Sequence, residues 1–201
     1  ISTTTPGTSN QDPIFDIKSN LAATVRLMQL IRDSGARRLV YLSSGGTVYG
    51  IPETLPIPEE HPLRPICYYW IVKVVVENYR YMFQQLHGLE YVVIRASNPY
   101  GERQGHFGVQ GVIGTFLNKI LKGEELEIWG DGGLIRDFVY VEDLAALCVD
   151  AGESDRVGVY NGGSGKGHSI EEVRGFVEQA VGRKVPVNRR ASRNFDVPRV
   201  V

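Results

Sequence analysis

The stretch Arg38-Leu39-Val40-Tyr41-Leu42-Ser43-Ser44-Gly45-Gly46-Thr47-Val48-Tyr49-Gly50 decides the fold. Its first five residues are a short apolar run of the kind that makes a buried strand. A turn rich in hydroxyls and glycines follows at once. About twenty residues on comes Tyr69-Trp70-Ile71-Val72-Lys73, inside a long helical pattern. A second strand, Tyr91 to Ile94, then runs into Arg95-Ala96-Ser97-Asn98-Pro99. Strand, helix, strand with short turns predicts parallel α/β layering. In such sheets ligands bind outside the carboxyl ends of the strands. Both polar clusters fall on that edge.

Upstream, Asp12-Pro13 reads as an N-cap followed by a first-turn proline. Ile14, Ile17, Leu21, Val25 and Met28 recur at steps of three and four, which predicts an amphipathic helix over 14–34, stopped by Gly35. Residues 2–11 read as a loop, and so do the proline-rich residues 51–65. The helix over 66–86 is apolar nearly all round, so it is expected to be covered on more than one side.

After Pro99 the character changes. Residues 101–111 hold four glycines and read as a flexible loop. Then follow a helix (Val112 to Leu121), a strand (Leu126 to Trp129), the turn Gly130-Asp131-Gly132-Gly133, a strand (Asp137 to Val141), a helix (Glu142 to Asp150) and a strand (Val157 to Tyr160). Ser169-Ile170-Glu171-Glu172 is a capping box opening a helix to Val181, and Val185 to Asn188 is a last short strand. The expected architecture is a partial doubly wound parallel, Rossmann-like sheet with a small mixed α/β substrate lobe. Residues 1–100 belong to the sheet domain. Residues 101–201 are mainly the lobe, with segments at about 126–160 returning to the sheet.

The 201 residues are 42% hydrophobic, enough for one full core with a small lobe. A formal net charge of −1 gives no electrostatic case for nucleic acid or an anionic membrane. The apolar runs fall short of the roughly 20 residues of a membrane span. Cys67 and Cys148 lack metal-ligand spacing, which favours a reducing compartment and a cytoplasmic location, with no metal. The chain opens on Ile1 and closes on Val200-Val201, so both ends read as cuts.

Tyr69 and Lys73, four apart, share a helix face. A tyrosine with a pKa of about 10 is a poor base, and a nearby cation favours its phenolate. Tyr-x-x-x-Lys is thus a means of taking a proton from an alcohol. The basic residues Arg189, Arg190, Arg193 and Arg199 read from charge alone as a solvated patch.

Taken in order, Ser43-Ser44-Gly45-Gly46-Thr47-Val48-Tyr49-Gly50, Tyr69…Lys73…Glu77, Arg95…Asn98-Pro99-Tyr100-Gly101, Gly130-Asp131-Gly132…Arg136-Asp137-Phe138-Val139-Tyr140-Val141-Glu142-Asp143 and Arg193…Asp196-Val197-Pro198 resemble the extended short-chain dehydrogenase/reductases. The resemblance is strongest to the NAD-dependent nucleotide-sugar epimerases and dehydratases, the UDP-glucose 4-epimerase type included. It implies Tyr69 as base and Lys73 as holder of the nicotinamide ribose and tuner of the tyrosine. It implies Asn20 and Ser43 beside the cofactor. Asn98, Arg136 and Arg193 match positions contacting the nucleotide diphosphate, with Asp196 ordering Arg193. Arginine forks suit a pyrophosphate. Asn98 also has a plain reading as a strand-end cap before Pro99.

Several departures from the family pattern shape the expectations. Glycine stands at position 45, where the resemblance places the catalytic Ser or Thr, so Ser44 or Thr47 must serve, with Thr47 preferred. The turn lacks the acid of the dehydratases and decarboxylases at positions 46 and 47, which points to epimerisation. Trp70 and Val72 make the helix bulkier than the pattern. The glycine-rich dinucleotide turn, strand–Gly-x-x-Gly-x-x-Gly–helix, is not among these residues. The expectation is therefore a truncated 4-epimerase of a UDP-sugar that holds NAD weakly and turns over little. A sister epimerase acting on UDP-N-acetylhexosamine or UDP-glucuronate is an alternative, and a non-catalytic nucleotide-sugar-binding remnant is another. The family also implies a homodimer through the helices over 14–34 and 66–86.

Overall fold

The computed structural model describes residues 2–104, 111–193 and 196–201. Three strands form a parallel sheet in the order β1 (Arg38–Ser44), β2 (Glu90–Ala96), β6 (Gly158–Gly162). Their register aligns Ser44 with Ala96 and Ala96 with Gly162, so all three end on one line. Alternation along the strands sorts side chains to two faces. Val40, Val92 and Ile94 meet α6 (Val141–Glu153) through Leu144 and Cys148. Leu39 faces α3 (Ala23–Asp33) and α4 (Tyr68–His87) through Met28, Phe83 and Tyr79. Val92, Val93 and Ile94 are at most 1% exposed. Each such side chain contributes on the order of 1.5–3 kcal/mol of apolar burial.

The first helix departs from the periodicity. It runs as α2 (Pro13–Asp16), then a π-helical segment over Ile17–Ala22, then α3. Residues 2–11 are not simply a loop, because Pro6–Gln11 form a short helix, α1. Thr5 caps it reciprocally with Thr8, and Pro6 takes a first-turn position, where its missing N–H has no cost. The α4 helix ends at Gly88, whose φ of +67° is the left-handed cap. It is not apolar all round. Glu77 and Arg80 are buried beneath it, while Ile71, Tyr81, Met82 and Leu86 are exposed. The helix is covered on more than one side, by β1 and β2 and by α1, the π segment and α3, and the nearly all-apolar reading is corrected by Glu77 and Arg80.

The remainder forms the lobe. A sheet built around β5 (Ile135–Tyr140) pairs it with β3 (Asn98–Tyr100), β7 (Gly167–Ser169) and β9 (Arg199–Val200). These three short partners were not anticipated. The strand β4 (Leu126–Trp129) pairs with β8 (Val187–Arg190), two residues later than expected from the sequence. Helices α5 (Val112–Lys122) and α7 (Ile170–Val181) cover this pair through Phe116, Ile120, Val173 and Val177. Ser169 and Glu172 cap α7 reciprocally, as the sequence predicts. Of the span 126–160, β6 joins the main sheet while β4 does not. Most of the glycine-rich run 101–111 lies outside the described residues.

Candidate active site

The turn after β1 is shaped by close approach. Gly45 donates its N–H to the Ala96 carbonyl, and a Cβ there would stand 2.7 Å from the carbonyl oxygens of both Arg95 and Ala96. Gly46 has φ +73°, and its Cβ would collide with Val200. The glycines are thus steric requirements, and position 45 has no room for a hydroxyl-bearing side chain. Thr47, Val48 and Tyr49 follow as one turn of 3-10 helix packed on α4. Ser44 Oγ and Thr47 Oγ1 lie 2.8 Å apart. One hydroxyl donates to the other, which leaves one O–H of the pair able to donate outward.

Cys67 caps α4 in an extended conformation, and Tyr69 and Lys73 occupy its first turns. The Tyr69 N–H is held by the Ser9 hydroxyl of α1 at 3.2 Å. Lys73 Nζ donates to the Leu42 carbonyl at 3.3 Å and lies 5.6 Å from the Tyr69 ring centroid. Lys73 is therefore held at the carboxyl end of β1, with Tyr69 beside it. Their electrostatics run opposite to the expectation. Burial pushes the Tyr69 phenol above the ordinary tyrosine value, and the Asp16 and Cys67 charges add to that, while the Ser2 hydroxyl works the other way. Burial also pulls Lys73 down, and Arg80 lowers it further. Desolvation is the largest cause for both groups.

The two other predicted cofactor residues are engaged by the scaffold. Asn20 sits in the π segment, 7% exposed. Its Oδ1 accepts from Thr3 N–H at 2.8 Å, and its Nδ2 donates to Thr4 Oγ1 and Asp16 Oδ1, both at 2.7 Å. It pins the segment leading into α1. A π segment at such a position is common at functional sites. Ser43 donates its hydroxyl to Glu77 Oε1 beneath α4. Lys73 keeps donors that fit a ribose, since among the described residues its ammonium donates only to the Leu42 carbonyl.

A buried polar network locks the strand ends. Arg95 of β2 meets Glu77 at 2.8 Å and also reaches Tyr49 Oη at 2.8 Å and the Glu59 carbonyl at 3.0 Å. Tyr49 donates to Asn161 Oδ1 of β6 at 2.7 Å, and Glu59 Oε1 accepts the Asn161 N–H. The proline-rich loop 51–65 is thereby tied to β2 and β6. Glu77, Arg95 and Tyr49 appear in the sequence motifs without a role, and Asn161 carries no sequence signal that would have exposed its own.

The predicted substrate residues gather on the lobe side. Asn98, on β3, donates Nδ2 to the Asp137 carbonyl of β5 at 2.8 Å, which is the capping role, and its residue is exposed. Arg136, on β5, donates to the Ile135 carbonyl. Burial lowers its pKa and Arg193 lowers it further, while Asp196 opposes both. Arg193 and Asp196 form an ion pair at 2.8 Å. The Arg193 guanidinium also lies 5.6 Å from the ring of Trp129, a half-exposed aromatic that the sequence reading passed over. A cavity of about 240 Å³ at the strand ends is lined by Gly45 and Gly46 on one side and by Asn98 and Asp137 on the other. Tyr69 and Lys73 lie outside its lining. Among the described residues no group of His, Cys, Asp and Glu is placed to hold a metal, and no helix is long and apolar enough to cross a membrane.

Residues 2–163 match the model of the NAD dependent epimerase/dehydratase family, and the chain belongs to that family. Among its relatives is a putative UDP-glucose 4-epimerase of Methanocaldococcus jannaschii, 38% identical over 174 residues, covering 87% of this chain and 57% of the relative. The UDP-glucose 4-epimerase of Thermotoga maritima, solved with UDP-glucose, superposes with a TM-score of 0.96 at 32% identity, over 100% of this chain and 65% of that one. The UDP-glucose 4-epimerase of Thermus thermophilus, solved in complex with NAD, gives a TM-score of 0.93 at 35% identity, over 100% and 66%. The chain thus spans a little over half the length of the curated relatives it matches.

Proposed function

We propose that this chain carries the catalytic and substrate-binding part of an NAD-dependent 4-epimerase of a UDP-sugar. The observation that carries this reading is that Lys73, bonded to the Leu42 carbonyl at the end of β1, and Tyr69 one turn before it lie on the helix that packs on the turn Thr47–Tyr49 through Val48 and Tyr49, next to the Ser44–Thr47 hydroxyl pair in sequence. Tyr69 is the group that takes the proton from the sugar 4-hydroxyl. The free hydroxyl of the Ser44–Thr47 pair donates to the same oxygen and orients it. When bound, NAD accepts a hydride from C4 and returns it. Tyr69 and Lys73 would hold its ribose. The 201 residues alone hold it weakly, because the glycine-rich turn that binds a pyrophosphate at a helix N-terminus is not among them. The turn offers no second acid, which supports epimerisation over elimination.

Arg136 and Arg193 supply two guanidinium groups for the diphosphate, with Asp196 ordering Arg193. Trp129 beside Arg193 offers a flat apolar face to a nucleobase. Titrating the chain with UDP by calorimetry tests the reading. UDP binds, and Arg136→Ala weakens it at least about tenfold, the scale of one charge-assisted hydrogen bond. UDP binding that is absent, or unchanged in Arg136→Ala, overturns it.

A further inference from the structure

Lys73 and Arg80 stand two turns apart on one face of α4, and both meet the same ring. The Arg80 Cζ lies 3.5 Å from the centroid of Tyr41, and Lys73 Nζ lies 5.1 Å from it. The two cationic groups are therefore less than about 9 Å apart, a range over which charges couple in a protein interior. Arg80 is 2% exposed, and its Nε and Nη1 donate to nothing among the described residues. Glu77, the acid one turn away, is committed to Arg95 and Ser43. Arg80 is thus a buried cation without a carboxylate in ion-pair reach among the described residues, seated on the π face of a tyrosine, which favours its charged form.

We propose that Arg80, seated on Tyr41, is a positioning residue that sets the charge state of Lys73. Buried cations close together disfavour one another, and the one with the softer pKa yields. Between a lysine and an arginine, the lysine starts from the lower pKa and yields first. The groups facing Lys73 are Arg80, Glu77 and Tyr69 from α4, Tyr41 from β1 and Asp16 from the entry of the π segment, while Tyr91 of β2 faces Arg80. Burial first, then Arg80, pulls Lys73 below the ordinary lysine value, against Glu77 and Asp16, and burial brings Arg80 to about 10. Lys73 is then a cation held less firmly than an ordinary exposed lysine. The functional consequence rests on the reading that Lys73 serves Tyr69; the charge coupling does not.

Competitive acetylation of the intact chain with acetic anhydride across pH 7–11, read peptide by peptide in a mass spectrometer, tests it. The exposed Lys122 is the internal reference. Lys73 labels with a midpoint below that of Lys122. Arg80→Met raises the Lys73 midpoint toward that of Lys122, and Arg80→Lys keeps it low. Removing an unpaired buried cation leaves stability unchanged or raised, and Arg80→Gln serves as a second neutral variant if Arg80→Met does not fold. A Lys73 midpoint equal to that of Lys122, or one unmoved in a folded neutral variant, overturns the proposal. A purely structural role for Arg80 changes the urea midpoint without moving the labelling midpoint. The labelling needs neither UDP nor NAD, so a failed UDP titration leaves this result readable.

Discussion

Arg95 and Glu77 form an ion pair at 2.8 Å in which both side chains are about 95% buried, at 5% and 6% exposure. Removing one partner of such a pair leaves an uncompensated buried charge and costs roughly 3–5 kcal/mol. Glu77→Leu is expected to lower stability by that amount in urea denaturation. Glu77→Leu with Arg95→Met costs less than the two single changes added. A single-variant loss under about 1 kcal/mol, the level of an exposed pair, removes the network from the structural account.

Restoring a hydroxyl at position 45 does not restore a catalyst. The Cβ of Gly45→Ser meets two backbone carbonyls at 2.7 Å, and neither belongs to a side chain that can turn away. The variant is expected to lose on the order of 1–3 kcal/mol, the cost of overpacking, with no gain in UDP-sugar binding. A variant as stable as the parent by thermal melting counts against the described turn.

Exposed apolar side chains line the outer face of the first helix and α4. Leu30 is 55% exposed and Leu86 is 68% exposed. We expect this face to pair with a second copy of the chain. Light scattering is expected to give the mass of a dimer, and Leu30→Glu with Leu86→Glu a monomer. A monomeric parent at high concentration refutes the pairing.

Alkaline pH is expected to unfold the chain through Tyr41. Burial, the largest cause, lifts its pKa well above the usual tyrosine value. A raised folded-state value means stability that is whole below about pH 10, the unfolded value, and is lost as pH climbs toward the folded one. Lys73, pulled below its own unfolded value, acts in the opposite sense: it costs stability at neutral pH, and that cost fades as pH approaches about 10.5. Urea midpoints measured from pH 9 to 11 are expected to fall in the parent and to fall less in Tyr41→Phe. Equal slopes in the two proteins exclude Tyr41 as the cause.

The main sheet was readable because β1 and β2 are short apolar runs that end in polar turns, and α4 because its N-terminal motif and the Gly88 stop bracket it. The strands β3, β7 and β9 were not. They are two or three residues long, too short to show a period of two, and they exist because β5 offers them partners. Of the site, Tyr69 and Lys73 were visible as a spacing, and Arg136, Arg193 and Asp196 as members of motifs. Ser43 and Asn20 were visible as motif residues, but their hydrogen bonds go to Glu77, Thr3, Thr4 and Asp16. Arg80 gave no signal, since a basic residue within an apolar run reads as one that reaches out to solvent.

The π segment over Ile17–Ala22 makes the first helix an ordinary one with a residue let into it. Its widened turn takes up the extra residue, so the helix on either side keeps the phase it would have without it. Deleting one residue between 17 and 22 would leave an unbroken α-helix with Asp16 and Met28 still facing as they do. What it would remove is the wide turn from which Asn20 reaches Thr3, Thr4 and Asp16. The helix would survive the loss of that residue, and the clasp on the segment leading to Ser9 and Tyr69 would not.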